Sequence, residues 1–380
     1  MVRCRFAGLL LALLLPLAAE AYGAEDSRAS RRGSPATKAR NPHKAAILKR
    51  KELRDMGVRN VRVATPGDWP TRVPVPKETA LQTVPPQPGV KENLYMTNNY
   101  VFLSPVKLDE NAQNTIGRLF ECAFAANRAI AEVLPVPRTS EDRSEKKFIV
   151  RLAPTKEQYR ALGGPERSSG VFRFQITRPF NSGPLEEKEI VADEVFVPHE
   201  SLGLDRHGKV LRNDIDTHTL VHELTHQCFA RNGLPIWAYE GWAEYVGYVP
   251  YVGEDLDFNR CFSLILHHAR KQADNGALTF PFSLEDFFSM SQEEMYGYME
   301  QRQDTYMLAT MAVAFFVHLD GKKGVNAMKA YMHALLEGES PAEAARELIK
   351  PHRSAKQLQK DFIRAWKRKK VEVNFVESRS

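Results

Sequence analysis

The spacing of apolar side chains changes along the chain, and this change predicts an α+β fold. Residues 109–134 place apolar side chains mostly three or four positions apart, as Ile116, Leu119 and Phe120 do, which is typical of an amphipathic helix. Short β-rich runs at 95–103, 147–152, 171–176 and 190–197 predict strands, and a further helix is expected after Thr155. We therefore expect an N-terminal lobe with a small mixed sheet and helices packed on it.

Helical spacing dominates from residue 214 to the end of the chain. Asp214 and Asp216 can cap a helix that runs to about residue 231, where Gly233 stops it. Pro235 then starts a second helix. Later helices are predicted at 257–274, 283–289, 291–302, 304–319, 323–337, 340–349 and 354–370. The second lobe should therefore be mainly helical.

The chain divides into four segments. Residues 1–21 resemble a signal peptide, because Arg3 and Arg5 precede an apolar run and Ala19-Glu-Ala21 fits a cleavage site. Residues 22–92 are expected to be a basic, Pro-rich linker that is largely disordered, 93–213 an α/β lobe with an edge strand, and 214–375 the zinc-binding helices with a helical C-terminal lobe. An uncleaved N-terminal anchor stays open, and either reading places the body outside the cytoplasm.

The formal net charge of +6 belongs to the leader. Residues 25–60 hold eleven Lys or Arg against four Asp or Glu, and the chain after them is close to neutral. No nucleic-acid motif accompanies this charge, so we expect no nucleic-acid partner. The basic leader could make weak contact with an anionic envelope surface, or it could be only a solvated linker.

The main candidate for chemistry is His222-Glu-Leu-Thr-His226. On a helix the two imidazoles lie on one face, one turn apart, which suits two ligands of a single zinc ion. Glu223 lies about 100° around the helix from His222, so it can flank a metal-bound water and act as general base. The competing interpretation is a chance match on a structural helix.

A second helix carries Glu240 and Glu244 one turn apart. The residues around them are too apolar for a surface helix, since they include Trp237, Trp242 and Tyr245. We assign Glu240 as the third zinc ligand, which leaves one position for water. Glu244 would accept an N–H from a ligand histidine. The exchanged assignment, with Glu244 as ligand, stays open.

These residues resemble the gluzincin metallopeptidases. The likeness rests on His222-Glu-x-x-His226 followed after thirteen residues by Glu240-Gly-x-Ala, and Leu234-Pro-Ile-Trp-Ala-Tyr-Glu-Gly-Trp-Ala-Glu is similar to an LPxWxxEGxAE form in poorly characterised, mostly bacterial secreted families. The resemblance implies Glu240 as third ligand. The gap is shorter than in aminopeptidase N, and no Gly-x-Met-Glu-Asn motif is present, so that family's substrate features do not carry over.

The resemblance also implies two features outside the zinc helices. A tyrosine or histidine on a later helix should stabilise the oxyanion. Tyr306 matches that position, with Tyr296, Tyr298 and His318 as alternatives and simple packing as the competing interpretation. An extended peptide should add to an edge strand, formed by 171–176 or by 190–197.

The sequence therefore predicts a secreted or periplasmic zinc-dependent peptidase that hydrolyses a peptide or protein substrate. Two alternatives stay open. One is a non-catalytic, zinc-stabilised binding module of the cell envelope, and the other is a zinc amidase that acts on cell-wall peptides.

Overall fold

The computed structural model describes residues 69–87, 89–135, 147–166, 168, 170–176, 190–211, 217–229, 234–252, 255–273, 276–300, 304–349 and 353–376. The predicted signal peptide and residues 22–68 of the predicted linker lie outside these ranges. So do the helix ends expected at Asp214, Asp216 and Gly233.

Strands lie mainly in the first half of the described chain. In chain order they are β1 (Arg72–Pro74), β2 (Gln82–Val84), β3 (Asn93–Met96), β4 (Tyr100–Ser104), β5 (Phe148–Ala153), β6 (Val171–Ile176), β7 (Ile190–Pro198), β8 (Tyr251–Val252), β9 (Asp255–Asp257), β10 (Leu278–Phe280) and β11 (Val373–Phe375). Six of them form a sheet in the order β2-β3-β4-β5-β7-β6. The pairs β4–β5 and β5–β7 are parallel and the other three are antiparallel, so the sheet is mixed.

Two helices cover this sheet. Helix α1 (Glu110–Ala131) links β4 to β5, as a parallel pair requires a crossover. Its N-cap is Asp109, whose side chain accepts the N–H of Ala112 at 2.7 Å. Helix α2 (Lys156–Ala161) is capped in the same way by Thr155. Both helices lie where the sequence predicted them, and the run expected as one strand at 95–103 is instead the hairpin β3–β4.

The second lobe is helical. Its helices are α3 (His218–Phe229), α4 (Ile236–Gly247), α5 (Phe258–Ala273), α6 (Leu284–Ser289), α7 (Gln292–Glu300), α8 (Thr305–Ala314), α9 (Gly321–Leu336), α10 (Pro341–Ile349) and α11 (Ala355–Arg368). A π-helical turn, Phe315–Leu319, follows α8. The predicted α+β class is confirmed, with a mixed sheet first and helices after it. Within the described residues, no helix is long and apolar enough to cross a membrane.

The segment 69–87 differs from the predicted linker, because it is built into both lobes. Trp69 is buried, β1 pairs with β9 beside the helices, and β2 pairs with β3 at one edge of the large sheet. Between them the chain crosses α1 so closely that a Cβ on Gly117 would stand 1.9 Å from the carbonyl oxygen of Thr79. Ordered structure therefore begins earlier than the predicted boundary at residue 93.

Candidate metal centre

Helices α3 and α4 pack against each other and present the site between them. In α3 every residue from Leu220 to Phe229 is buried, so protein surrounds this helix on all faces and encloses the HExxH residues. Pro235 is the N-cap of α4, and its missing N–H costs nothing at that end. Gly241 lets α4 approach α8, since a Cβ there would lie 2.7 Å from the carbonyl oxygen of Ala309. The crossing of these helices decides which side chains meet.

Three donor atoms from the two helices converge on one point. The Nε2 atoms of His222 and His226 are 2.9 Å apart, and each lies 3.2 Å from Oε2 of Glu240. Ligand atoms about 2.0–2.2 Å from a tetrahedral zinc ion stand roughly 3.3–3.5 Å apart. The observed triangle is slightly tighter than that, and it needs only a small opening to hold such an ion.

The burial of the three residues of the triangle also fits a site for a cation. His222, His226 and Glu240 expose at most 3% of their surface, and among the described residues Oε2 of Glu240 receives no hydrogen bond. A buried carboxylate oxygen without a donor is costly unless a positive charge compensates it. These three residues form a buried group that could bind a metal ion.

The charges of the group are strongly coupled. Burial alone would raise the pKa of Glu240, but the imidazoles of His226 and His222 lower it to about 2. Burial opposes protonation of His222, yet Glu240 and Glu244 more than offset this and raise its pKa well above the usual value. The pocket therefore favours positive charge, which a metal ion would supply in place of a proton.

Glu223 lies beside the triangle and is not part of it. Its side chain is buried, and Oε2 accepts the backbone N–H of Phe172 in β6 at 3.0 Å. Burial raises the pKa of Glu223, although the two imidazoles oppose the shift. This hydrogen bond also joins α3 to β6, so the strand and the carboxylate hold each other in place.

Glu244 contacts two histidines rather than joining the triangle. Its Oε1 lies 3.0 Å from Nδ1 of His222, although the N–H direction is not ideal, and its Oε2 lies 3.3 Å from Nε2 of His218. Burial alone would raise the pKa of Glu244, but His218 and His222 hold it well below its usual range. A proton on Nδ1 of His222 would face this carboxylate and would leave Nε2 free to bind a metal ion.

Strand order identifies the edge strand. β6 (Val171–Ile176) is the last strand of the six-stranded sheet, whereas β7 (Ile190–Pro198) lies inside it between β5 and β6. In the part of the chain that the structure describes, no strand pairs with the outer side of β6. Of the two predicted candidates, 171–176 is therefore the edge strand, and it is also the one in contact with Glu223.

Two tyrosines from later helices reach the site. Asp304 caps α8 and brings Tyr306 into its first turn, where the phenol ring lies 6.2 Å from the ring of His222. On α7, the Tyr296 hydroxyl donates to Oε1 of Glu240 at 3.3 Å and is also hydrogen-bonded to Tyr306. Burial and the charge of Glu240 raise the pKa of Tyr306 well above its usual value. Tyr306 thus lies near the triangle, and Tyr296 donates to Oε1 of Glu240, the carboxylate oxygen that is not part of the triangle.

The other two alternatives for Tyr306 lie elsewhere. Tyr298 packs its ring against Phe282 at 4.8 Å. The Nε2 atom of His318 lies 2.9 Å from the hydroxyl of Tyr245, on the other side of α4. In the described structure neither side chain contacts the triangle.

Tyr239 was missed at the sequence level. Its ring stacks on the His226 imidazole, with centroids 4.1 Å apart and planes 17° from parallel. Its hydroxyl is buried and has no hydrogen-bond partner in the described structure. The only signal in the sequence was its position directly before Glu240.

Comparisons with known proteins add no relative to this picture. No family model matches the chain, and neither the curated proteins nor the solved structures contain a match. The fold and the site thus define a class only: an α+β protein with a buried His-His-Glu group that could hold a metal ion.

Proposed function

We propose that the protein is an extracytoplasmic zinc-dependent peptidase. His222, His226 and Glu240 would bind one zinc ion, and Glu223 would be the general base. The observation that carries the proposal is the triangle of two imidazole nitrogens and one carboxylate oxygen, 2.9–3.2 Å apart, with the carboxylate of Glu223 beside it. Two imidazoles and one carboxylate are a donor set that favours zinc and leaves a position open.

The chain's own residues supply the remaining parts of the reaction. When bound, zinc polarises the scissile carbonyl and acidifies water. Glu223 takes the proton of the attacking water as its oxygen bonds to the carbonyl carbon, and returns that proton to the amide nitrogen as the C–N bond breaks. Burial raises the pKa of Glu223, and this direction suits the exchange, because a more basic carboxylate takes up the proton of water more readily.

The edge strand supports a peptide as the substrate. An extended peptide that pairs with β6 would run beside Phe172, whose N–H already holds Glu223. A scissile bond placed there would lie next to the base. The same geometry would serve a cell-wall peptide, so the amidase alternative differs only in substrate. The signal peptide that the sequence predicts at 1–21 is the reason to propose that this activity lies outside the cytoplasm.

The test replaces Glu223 with Gln in the purified protein. We expect wild type and Glu223→Gln to hold one zinc ion per chain, and only wild type to cleave a mixed peptide library that includes cell-wall stem peptides. The variant's rate should fall by about 10²–10⁴. Metal analysis and mass spectrometry of the products measure the two results.

Glu121→Gln is a matched control. Glu121 is buried as deeply as Glu223 and also accepts a backbone N–H at 3.0 Å, from Asn99, but it lies away from the triangle. Its replacement should leave zinc content and cleavage unchanged. Zinc-loaded wild type that cleaves no peptide would favour the binding module instead, and equal cleavage by Glu223→Gln would remove Glu223 as the base.

A further inference from the structure

Three tyrosines border the metal triangle, and their hydroxyl groups are not equivalent. The Tyr296 hydroxyl has one proton, which it donates to Oε1 of Glu240. In the hydrogen bond between Tyr296 and Tyr306, Tyr306 must therefore be the donor. The Tyr296 proton is therefore engaged by Glu240, and the Tyr306 proton is engaged by Tyr296.

The hydroxyl of Tyr239 is different, because it is buried and unpaired. Its ring lies flat on the His226 imidazole, and the side chain interacts electrostatically with both Glu240 and Glu223. The phenol is thus close enough to the third ligand and the base to feel both charges, and it is hydrogen-bonded to neither. A buried hydroxyl rarely lacks a partner, so an acceptor that arrives with a ligand is the natural occupant.

We infer that Tyr239 donates a hydrogen bond to the oxygen that becomes negatively charged when water adds to the substrate carbonyl. This assignment rests on the proposed function and deepens it. It moves the role of oxyanion donor from Tyr306 to Tyr239, and makes Tyr306 and Tyr296 positioning residues for Glu240. The donor is held by its stacking on a ligand ring, so it needs no rearrangement when charge develops.

The experiment uses Tyr239→Phe, which keeps the stacked ring and removes only the hydroxyl. Tyr306→Phe tests the rival donor, and Tyr245→Phe is the matched control, because it removes a buried phenol hydroxyl of the same helix that contacts His318 rather than the triangle. All proteins are loaded with Co²⁺, and inorganic phosphate is the probe, since it is a tetrahedral anion like the oxygen-rich centre it imitates. Visible absorption of Co²⁺ reports phosphate binding and metal content without any peptide substrate.

We expect Tyr239→Phe to keep its cobalt and to bind phosphate roughly 10-fold to 100-fold more weakly, as the loss of a hydrogen bond to a charged group predicts. Tyr245→Phe should bind phosphate as wild type does, and Tyr306→Phe should lose less phosphate affinity than Tyr239→Phe. On a peptide substrate, Tyr239→Phe should lower kcat by about 10²–10³ and change KM little.

Three results would overturn the inference: unchanged phosphate binding by Tyr239→Phe, loss of cobalt from it, or a larger loss of phosphate affinity in Tyr306→Phe. The phosphate assay also separates this inference from the proposed function. If cobalt-loaded wild type binds phosphate but cleaves no peptide, the peptidase fails, while Tyr239 is still judged by the phosphate affinities.

Discussion

Two clusters of polar side chains lie on opposite sides of α4, and they differ in how far their hydrogen bonds are satisfied. On one side Glu240 and Glu244 face imidazoles, and Oε2 of Glu240 lacks a donor among the described residues. On the other side the Tyr245 hydroxyl accepts the indole N–H of Trp69 at 3.1 Å and is hydrogen-bonded to Nε2 of His318 at 2.9 Å. The hydrogen bonds of Trp69, Tyr245 and His318 are complete without any ligand, whereas the first cluster could hold a metal ion.

His222 and His318, one in each cluster, differ in the same way. His222 and His318 are exposed to 3% and 4%, yet two carboxylates raise the pKa of His222, while burial without a charged partner lowers that of His318 to about 3. Burial alone therefore does not mark a functional histidine. What distinguishes His222 is the negative charge around it, and that charge is what a metal ion would neutralise.

The largest effect is expected from Glu240→Ala. The variant should lose its zinc, because a ligand disappears from a buried site and the imidazoles alone leave two positions open. Glu244→Ala should keep zinc with an affinity lower by about 10–100-fold, as is usual when only the partner of a ligand histidine is removed. Competition with a chelator measures both affinities.

Tyr245→Phe, on the completed side of α4, serves as the control and should bind zinc as wild type does. The reverse pattern, in which Glu244→Ala loses the metal and Glu240→Ala retains it, would exchange the roles of the two carboxylates.

The grouping of His222, His226 and Glu240 could be predicted from the sequence, because it depends on spacings within two consecutive helices. The spacing of His222 and His226 places both imidazoles on one helical face, and Pro235 sets the start of the helix that carries Glu240. Helix and strand positions follow the apolar period for the same reason. One short-range signal was misread, since residues 95–103 form a hairpin rather than a single strand.

The rest of the site depends on contacts distant in sequence, which no local period encodes. The stacking of Tyr239 on His226 follows from the angle at which two helices cross. The edge position of β6 follows from β7 pairing with β5. Trp69 lies in a stretch whose composition predicts a linker, and its partner Tyr245 is 176 residues away. Composition could not reveal that this segment is packed.

A smaller effect, on stability, is expected from Trp69→Ala. Trp69 stacks on Trp242 with ring centroids 5.7 Å apart and bonds to Tyr245, so its removal opens a cavity behind α4. The free energy of unfolding should fall by about 3–5 kcal/mol. Chemical denaturation of the metal-free protein, followed by tryptophan fluorescence and circular dichroism, measures the change.

Trp69→Phe is the control for the ring, because it keeps most of the packing and loses only the indole hydrogen bond, which contributes about 1 kcal/mol. Zinc affinity of both variants at a temperature well below unfolding should match wild type. If either Trp69 variant folds normally but binds zinc poorly, packing on the Trp69 side of α4 must affect the geometry of the metal site on the other side.

The smallest effect concerns the pH dependence of His318. Its pKa is about 3 in the folded protein, against 6.5 when unfolded. The unfolded chain therefore binds the extra proton between these pH values, and stability falls as pH drops through that window, by about 1.4 kcal/mol per unit.

In metal-free protein, His318→Gln keeps a hydrogen-bonding partner for Tyr245 and does not titrate. Its loss of stability from pH 7 to pH 5 should be smaller than that of wild type by about 2 kcal/mol. Denaturant midpoints at the two pH values measure the difference. Equal losses of stability in the two proteins between pH 7 and pH 5 would show that His318 can take up a proton while the protein is folded. The side of α4 that carries Tyr245 and His318 would then be more accessible to protons than its burial indicates.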